Sequence, residues 1–236
     1  MEKIVIVGGT SGIGFAAAKF LLDKGYFVTI LGRNEHKLEA ALDNLGKNAD
    51  GKIVDASNRT EIEKALSGIG EFNHLVIALS GGKGGGTFKD LSLADLQKGF
   101  DGKFFPQLQT VQTGLAFIKN NGSITCITSI SSRSKAIGTS GLGAINGALE
   151  IMIPTLAKEL KPLRINAIAP GVINTTWWDF LPPEKKQETF DKYSDLIPLG
   201  RIGEPEDIAK MVFSLIDNKY VTGQVIAVDG GLSLCQ

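Results

Sequence analysis
The sequence has little of several things, and each shortage narrows what it can do. Its 236 residues include only two cysteines, Cys126 and Cys235, far apart and in no CxxC or zinc-ligand spacing. Neither a disulfide framework nor a structural zinc site is expected from them. Cys126 falls inside an apolar run and reads as a small core residue. Neither sign of charge is in excess: Lys plus Arg and Asp plus Glu are both 25, for a formal net charge of zero. That balance argues against nucleic acid or another polyanion as a partner. No apolar run approaches membrane-spanning length and no signal peptide is evident ahead of the first apolar run, so a cytoplasmic protein of a reducing compartment, with no membrane partner, is expected. Histidine is scarce: His36 lies in a charged helical stretch and His74 just before an apolar run. Both read as structural or exposed, with no triad and no metal site.

What is present is concentrated in the first thirty residues. Ile4-Val5-Ile6-Val7 is a continuous β-branched run, the pattern of a strand buried on both faces. It leads into Gly8-Gly9-Thr10-Ser11-Gly12-Ile13-Gly14 and then into an Ala- and Leu-rich helical stretch that Gly25 is placed to end. Strand, glycine turn and helix together aim backbone N–H groups and a positive helix end at an anion. The turn is therefore read as a phosphate cradle. The Gly81–Gly86 loop with Lys83 lacks the Gly-Lys-Ser/Thr of a P-loop and reads as flexible backbone over a cofactor.

Strand and helix patterns alternate along the rest of the chain. Strands are expected at Val28–Leu31, Ile53–Val54, Leu75–Leu79, Ser123–Thr128, Arg164–Ile168 and Val225–Val228. Helices are expected over 35–45, 59–69, 92–119, 141–160 and 204–217, the fourth kinked at Pro154. The 92–119 helix is weakened by Gly99 and Gly102, and residues 174–200 show little core periodicity. This alternation implies an α/β fold of the Rossmann type, a doubly wound, mostly parallel sheet of seven strands flanked by helices. With no internal repeat and no linker, residues 1–236 are expected to form one dinucleotide-binding domain.

In such sheets ligands bind beyond the carboxyl ends of the strands. Arg33 and Asn34 follow the second strand, where a dinucleotide's adenosine ribose lies. A carboxylate there accepts from a 2′-hydroxyl, whereas the planar fork of Arg33 suits a 2′-phosphate, so NADP(H) is expected over NAD(H).

These residues give the chain a strong resemblance to the short-chain dehydrogenase/reductase family. Gly8, Gly12 and Gly14 match the family's GxxxGxG turn, although Val7 stands where many members have Thr. Asp55-Ala56 resembles the acidic turn that holds the adenine, and Ala78-Leu79-Ser80-Gly81 occupies the place of the NNAG motif. Arg164 to Thr175 is close to the family's strand-six signature, which implies that Pro170, Gly171, Val172, Ile173 and Thr175 flank the nicotinamide. Leu199–Ala209, Val221–Gln224 and Asp229–Gly231 resemble the family's C-terminal third. The resemblance further implies cofactor contacts from Thr10, Ser11, Ile13, Ser80 and Gly81, and a homodimer or homotetramer built on the small-residue face of the 141–160 helix.

The departures concern the chemistry. The family uses a Ser, a Tyr and a Lys four residues after that Tyr, with an Asn on the preceding long helix. Ser129 matches the Ser, but the family spacing puts Leu142 at the Tyr and Asn146 at the Lys, and the helix Asn falls near Lys103, in Asp101-Gly102-Lys103-Phe104-Phe105. A Leu cannot protonate an alkoxide, and losing a positioned general acid typically costs about 10² to 10⁴ in rate. Asn146 can still hydrogen-bond the nicotinamide ribose, and Lys103 can restore the missing charge as proton donor or oxyanion clamp beside Ser129. Trp177 and Trp178 fit an apolar substrate lid over 174–200, with Tyr193 a remote candidate acid whose packing role is favoured. The expected activity is NADPH-dependent reduction of a ketone or conjugated enone in a small molecule. An enone suits the missing Tyr because charge develops on a distant enolate oxygen. The alternatives are a non-redox isomerase or lyase on the same scaffold, and a catalytically silent dinucleotide-binding sensor or partner.

Overall fold
Why the strands lie where they do follows from burial. In the computed structural model, which describes residues 1–235, seven strands form one parallel sheet in the order β3-β2-β1-β4-β5-β6-β7. The central strands are β1 (Lys3–Val7), β2 (Phe27–Gly32), β4 (Phe72–Ile77), β5 (Ile118–Ile127) and β6 (Arg164–Pro170). Ile4, Val5, Ile6, Ile30, Leu75, Val76, Ile124 and Ile165 on these strands are completely buried. Helices cover both faces, as continuous apolar strands require. The edges are β3 (Ala49–Ile53) and β7 (Val225–Val228).

The helices are α1 (Gly12–Asp23), α2 (Glu35–Leu45), α3 (Arg59–Ile69), α4 (Leu93–Gly99), α5 (Phe105–Gly114), α6 (Ser140–Glu159), α7 (Pro183–Leu196) and α8 (Pro205–Asp217). One core layer packs α1 and α8 on the sheet through Ala17, Leu21, Ile208 and Val212. The other packs α3, α5 and α6 through Ile62, Leu66, Val111 and Ile153. Strand order reverses between β1 and its neighbours β2 and β4, which opens a crevice at the carboxyl ends of the strands. Among the described residues, no helix is long and apolar enough to cross a membrane.

The structure corrects several local expectations. The third strand is Ala49–Ile53, not Ile53–Val54. It is an edge strand of half-buried and exposed residues, held by backbone pairing with β2, so no apolar run marks it. The 92–119 helix stops at Gly114, and Leu115–Phe117 turn the chain into β5, which begins at Ile118. Before that, the helix is interrupted by a π-helical turn at Phe100–Phe104. His74 lies within β4, not before it; it is buried, and its Nδ1 is 2.8 Å from the Ser123 hydroxyl. Residues 174–200 contain a 3-10 turn (Thr176–Phe180) and α7, whose buried contact with the rest of the chain is Phe190.

Candidate active site
The glycine turn sits at the carboxyl end of β1, beneath the first turn of α1. A side chain at Gly14 would run into the Gly8 carbonyl, and one at Gly8, which has φ +84°, would lie 2.6 Å from the Ala78 carbonyl oxygen. The loop is therefore held flat against strand and helix: the Leu31 carbonyl takes the Gly8 and Gly9 N–H groups at 2.8 and 3.2 Å, which leaves the first-turn N–H groups of α1 to face an anion. Ser11 is the N-cap of α1, but its side chain caps no N–H. Thr10 packs its methyl over Gly32. The half-buried Thr175 reaches across to Gly12, whose added Cβ would be 3.4 Å from it. The turn and the strand-six signature are thus brought together.

The residues expected at the adenosine end also lie close together. Arg33 is exposed beyond β2, and Asn34 beside it caps α2 by accepting from the Lys37 N–H at 2.9 Å. Hydrogen bonds from the Ser57 backbone and hydroxyl hold the Asp55 carboxyl below the usual carboxylate range, and the Arg33 charge lowers it further. Gln109 of α5 donates to the Ala56 carbonyl and fixes this turn against the helix layer. Pro170 ends β6, and the Gly171 N–H is tied to the Val228 carbonyl at 3.0 Å. Val172 and Ile173 are buried behind it.

At the end of β5 the candidate catalytic residues form one connected cluster. Lys103, on the π-helical turn, is only 8 % exposed, and its Nζ donates to the Thr128 carbonyl at 3.0 Å. Burial pushes its ammonium down to about 8, opposed by attraction to the Glu150 carboxylate. Ser129 is half-buried, and its hydroxyl accepts from the Ser131 N–H at 3.3 Å. Asn146 is buried on α6 and donates to the Ser131 hydroxyl at 3.2 Å and to the Leu142 carbonyl at 2.8 Å. Its Oδ1 is buried with no hydrogen-bond partner. An orphaned acceptor there needs a donor such as a ribose hydroxyl. The glycine cradle, the open α1 N-terminus and this acceptor together fit a dinucleotide.

Gly81 lies against Lys103, where an added Cβ would be 3.2 Å from the lysine Cβ. Trp177 crosses from the 174–200 segment and donates its Nε1–H to the Gly81 carbonyl at 3.4 Å. Ser80 next to it is exposed. Trp178 is anchored by its Nε1–H to the Ile173 carbonyl at 3.0 Å, and Phe190 packs edge-on against its ring. Tyr193 packs in the same cluster.

Two features here escaped the sequence. Glu150 accepts from the Thr128 and Ser132 hydroxyls, both at 2.8 Å, and from Arg133 Nε at 3.3 Å, making it the charged centre behind Lys103. A lone Glu amid the apolar residues of α6 was the available signal. The π-helical turn that carries Lys103 inward left no sequence mark beyond Gly99 and Gly102.

The architecture defines a Rossmann-type dinucleotide-binding α/β protein. The family model described as enoyl-(acyl carrier protein) reductase matches residues 7–233. The chain is 33 % identical to a carbonyl reductase family member 4 of Xenopus laevis, over 99 % of both chains. It is 32 % identical to a 3-oxoacyl-[acyl-carrier-protein] reductase of Mus musculus, again over 99 % of each. A solved small-chain dehydrogenase in complex with NADPH superposes with a TM-score of 0.85 at 32 % identity, covering 99 % of each chain. This chain belongs to the short-chain dehydrogenase/reductase family.

Proposed function
We propose that the protein is an NADPH-dependent reductase of a ketone or conjugated enone, in which Lys103 takes over the charge that other members place on α6. The observation that carries this is the buried Lys103 ammonium at the end of β5, one residue from Ser129 through its bond to Thr128. NADPH, when bound, supplies the hydride. The chain's own residues do the rest. The Gly8–Gly14 turn binds the pyrophosphate, Arg33 grips the 2′-phosphate, and Asp55 with Ala56 holds the adenine. Asn146 Oδ1 accepts from the nicotinamide ribose, and Thr175 with the Pro170–Ile173 backbone flanks the nicotinamide. Ser129 orients the substrate oxygen, and Lys103 Nζ holds or delivers the proton as that oxygen becomes negative. Leu142 in place of a hydroxyl leaves this wall apolar, which strengthens each remaining charge. Trp177 and Trp178 form a lid that excludes water.

The relatives named as carbonyl and 3-oxoacyl reductases support a carbonyl substrate. Residues 1–236 act as one domain in this reading, and the exposed Ile151 of α6 and Phe105 of α5 support a homo-oligomer, which light scattering tests. The experiment is consumption of NADPH, followed by absorbance, across a panel of ketones and enones with the wild type and with Lys103→Met and Ser129→Ala. Turnover that both substitutions leave unchanged overturns the site. Product formation without loss of NADPH overturns the redox assignment in favour of an isomerase or lyase.

A further inference from the structure
A cavity of about 320 Å³ opens beside the first turn of α1, lined by Gly12, Phe15, Asn174, Thr175, Glu206 and Lys186 among others. Among the described residues, Lys186 is the one positively charged side chain that lines it. It comes from α7, in the segment that also carries Trp177 and Trp178. Its side chain is just 25 % exposed, which is unusual for a lysine on a polar helix. The ammonium is held from two sides, by the Asp179 carboxylate at 2.8 Å and by the Phe190 ring at 5.7 Å to its centre. Both contacts favour a position of the charge beside the cavity.

The electrostatics of the glycine turn say what that charge is for. A helix N-terminus offers roughly half an elementary charge, whereas a dinucleotide pyrophosphate carries two negative charges. The turn from Gly8 to Gly14 contains no Lys or Arg, and the other charged residue lining the cavity, Glu206, has the wrong sign. We propose that Lys186 is a cofactor-binding residue: its ammonium, lining the cavity against Gly12 and Thr175, pairs with the pyrophosphate of the dinucleotide and ties α7 to the bound cofactor. The inference rests on the dinucleotide-binding reading above and extends it, because it makes the 174–200 segment respond to cofactor as well as to substrate. Asp179 is the partner Lys186 shares or releases on binding, so the lid's own ion pair is the alternative state of the same charge.

The test measures binding and needs no substrate. Nicotinamide fluorescence gives the affinity for NADPH, and displacement of NADPH gives the affinity for adenosine 2′-monophosphate, which has the 2′-phosphate and adenine but no pyrophosphate. Lys186→Gln is expected to weaken NADPH about tenfold, the loss of one charge-assisted contact, and to leave adenosine 2′-monophosphate unchanged. Asp179→Asn, which frees the lysine, is expected to bind NADPH at least as tightly as the wild type. Wild-type affinity for NADPH in Lys186→Gln overturns the inference while sparing the dinucleotide reading. Equal weakening of both ligands, or an equal loss in Asp179→Asn, also overturns it, because either outcome makes the lysine a structural partner of Asp179 and nothing more. If the wild type binds no NADPH, the dinucleotide reading itself falls, and this inference with it.

Discussion

The ammonium of Lys103 and the carbonyl oxygen of Thr128 are joined by a buried hydrogen bond of 3.0 Å, the one hydrogen bond the lysine side chain makes among the described residues. An ammonium has three donors, and burying it this way is costly. The structure lowers its pKa from 10.5 to about 8, which corresponds to roughly 3 kcal/mol of stability forgone at neutral pH. Losing the bond to Thr128 offsets part of that, at about 1.5–3 kcal/mol for a charged donor. Replacing Lys103 by the similarly shaped, uncharged Met is therefore expected to stabilise the fold by up to about 1.5 kcal/mol, or a few degrees in Tm. Turnover of a confirmed substrate is expected to fall by about 10² to 10⁴. Calorimetry and NADPH consumption on the same preparation check both. A destabilised variant with full activity refutes the assignment on both counts.

The same lysine sets a pH dependence. Below about 8 it is protonated and can donate or clamp; above that value the proton is lost. Reduction is expected to decline as pH rises through about 8. Glu150 attracts the ammonium and keeps the value from falling further. Glu150→Gln should move the decline to lower pH, a shift in the profile that mere loosening of the fold would not give. The stability effect has the opposite sign. The folded pKa lies below the unfolded one, so the cost of burial is fully present below about 8 and is relieved between about 8 and 10.5. The stability gap between Lys103→Met and the wild type should close over that interval, as urea titrations at a series of pH values would register.

How much of this was legible in the sequence depends on what each element is stabilised by. The central strands and the glycine turn were plain, because Ile4–Val7 has to be buried on both faces and Gly14 has no room for a Cβ. Strand β3 was not, since an edge held by backbone pairing to β2 needs no apolar run. The end of α5 was missed because apolar residues continue through Leu115 and Phe117 into β5, and only Gly114 marks the break. Lys103 could be placed by its spacing from the family's Asn, but its burial could not, because a π-helical turn changes which face a residue presents without changing composition. Lys186 carried no signal at all: one lysine among several on a polar helix becomes distinctive only when Asp179 and Phe190 are seen around it.

Arg33 offers a cleaner test of cofactor choice. It is exposed, and its charge is the smallest of the influences on the Asp55 carboxyl, so little folding energy depends on it. Arg33→Ala is expected to weaken NADPH by about 10- to 100-fold, the value of a guanidinium–phosphate contact, and to leave NADH within about threefold. The difference should shrink as salt is raised, because the contact lies in water. Fluorescence titrations with both nucleotides at two ionic strengths provide the check, and equal losses for the two nucleotides would remove Arg33 from the 2′-phosphate site.

Arg164 stands at the start of the strand-six signature, yet its contacts point away from the nicotinamide. Its guanidinium donates to the Leu215 carbonyl at 2.7 Å, to Ile216 at 3.0 Å, and to Asn218 and Val221 at 3.1 Å each. Those carbonyls end α8 and begin the turn toward β7, and a cation at a helix C-terminus also opposes the negative end of the helix dipole. Asn166, two residues on, completes the clasp by donating to Val221 and accepting from the Gln224 N–H, both at 3.0 Å. This part of the signature therefore holds the last helix and strand together at the edge of the sheet far from the site. Arg164→Met keeps the buried stem and removes the fork, leaving the Leu215, Ile216 and Asn218 carbonyls without this donor and Val221 with Asn166 alone, at a cost of about 3 kcal/mol. Arg164→Lys keeps the charge without the planar geometry and should recover no more than about half of that. Both variants are expected to unfold at lower urea while binding NADPH with wild-type affinity below their transitions. A loss of affinity in the folded variants would mean that the signature acts on the cofactor from its first residue onward, and that the division drawn here between its structural and binding halves is wrong.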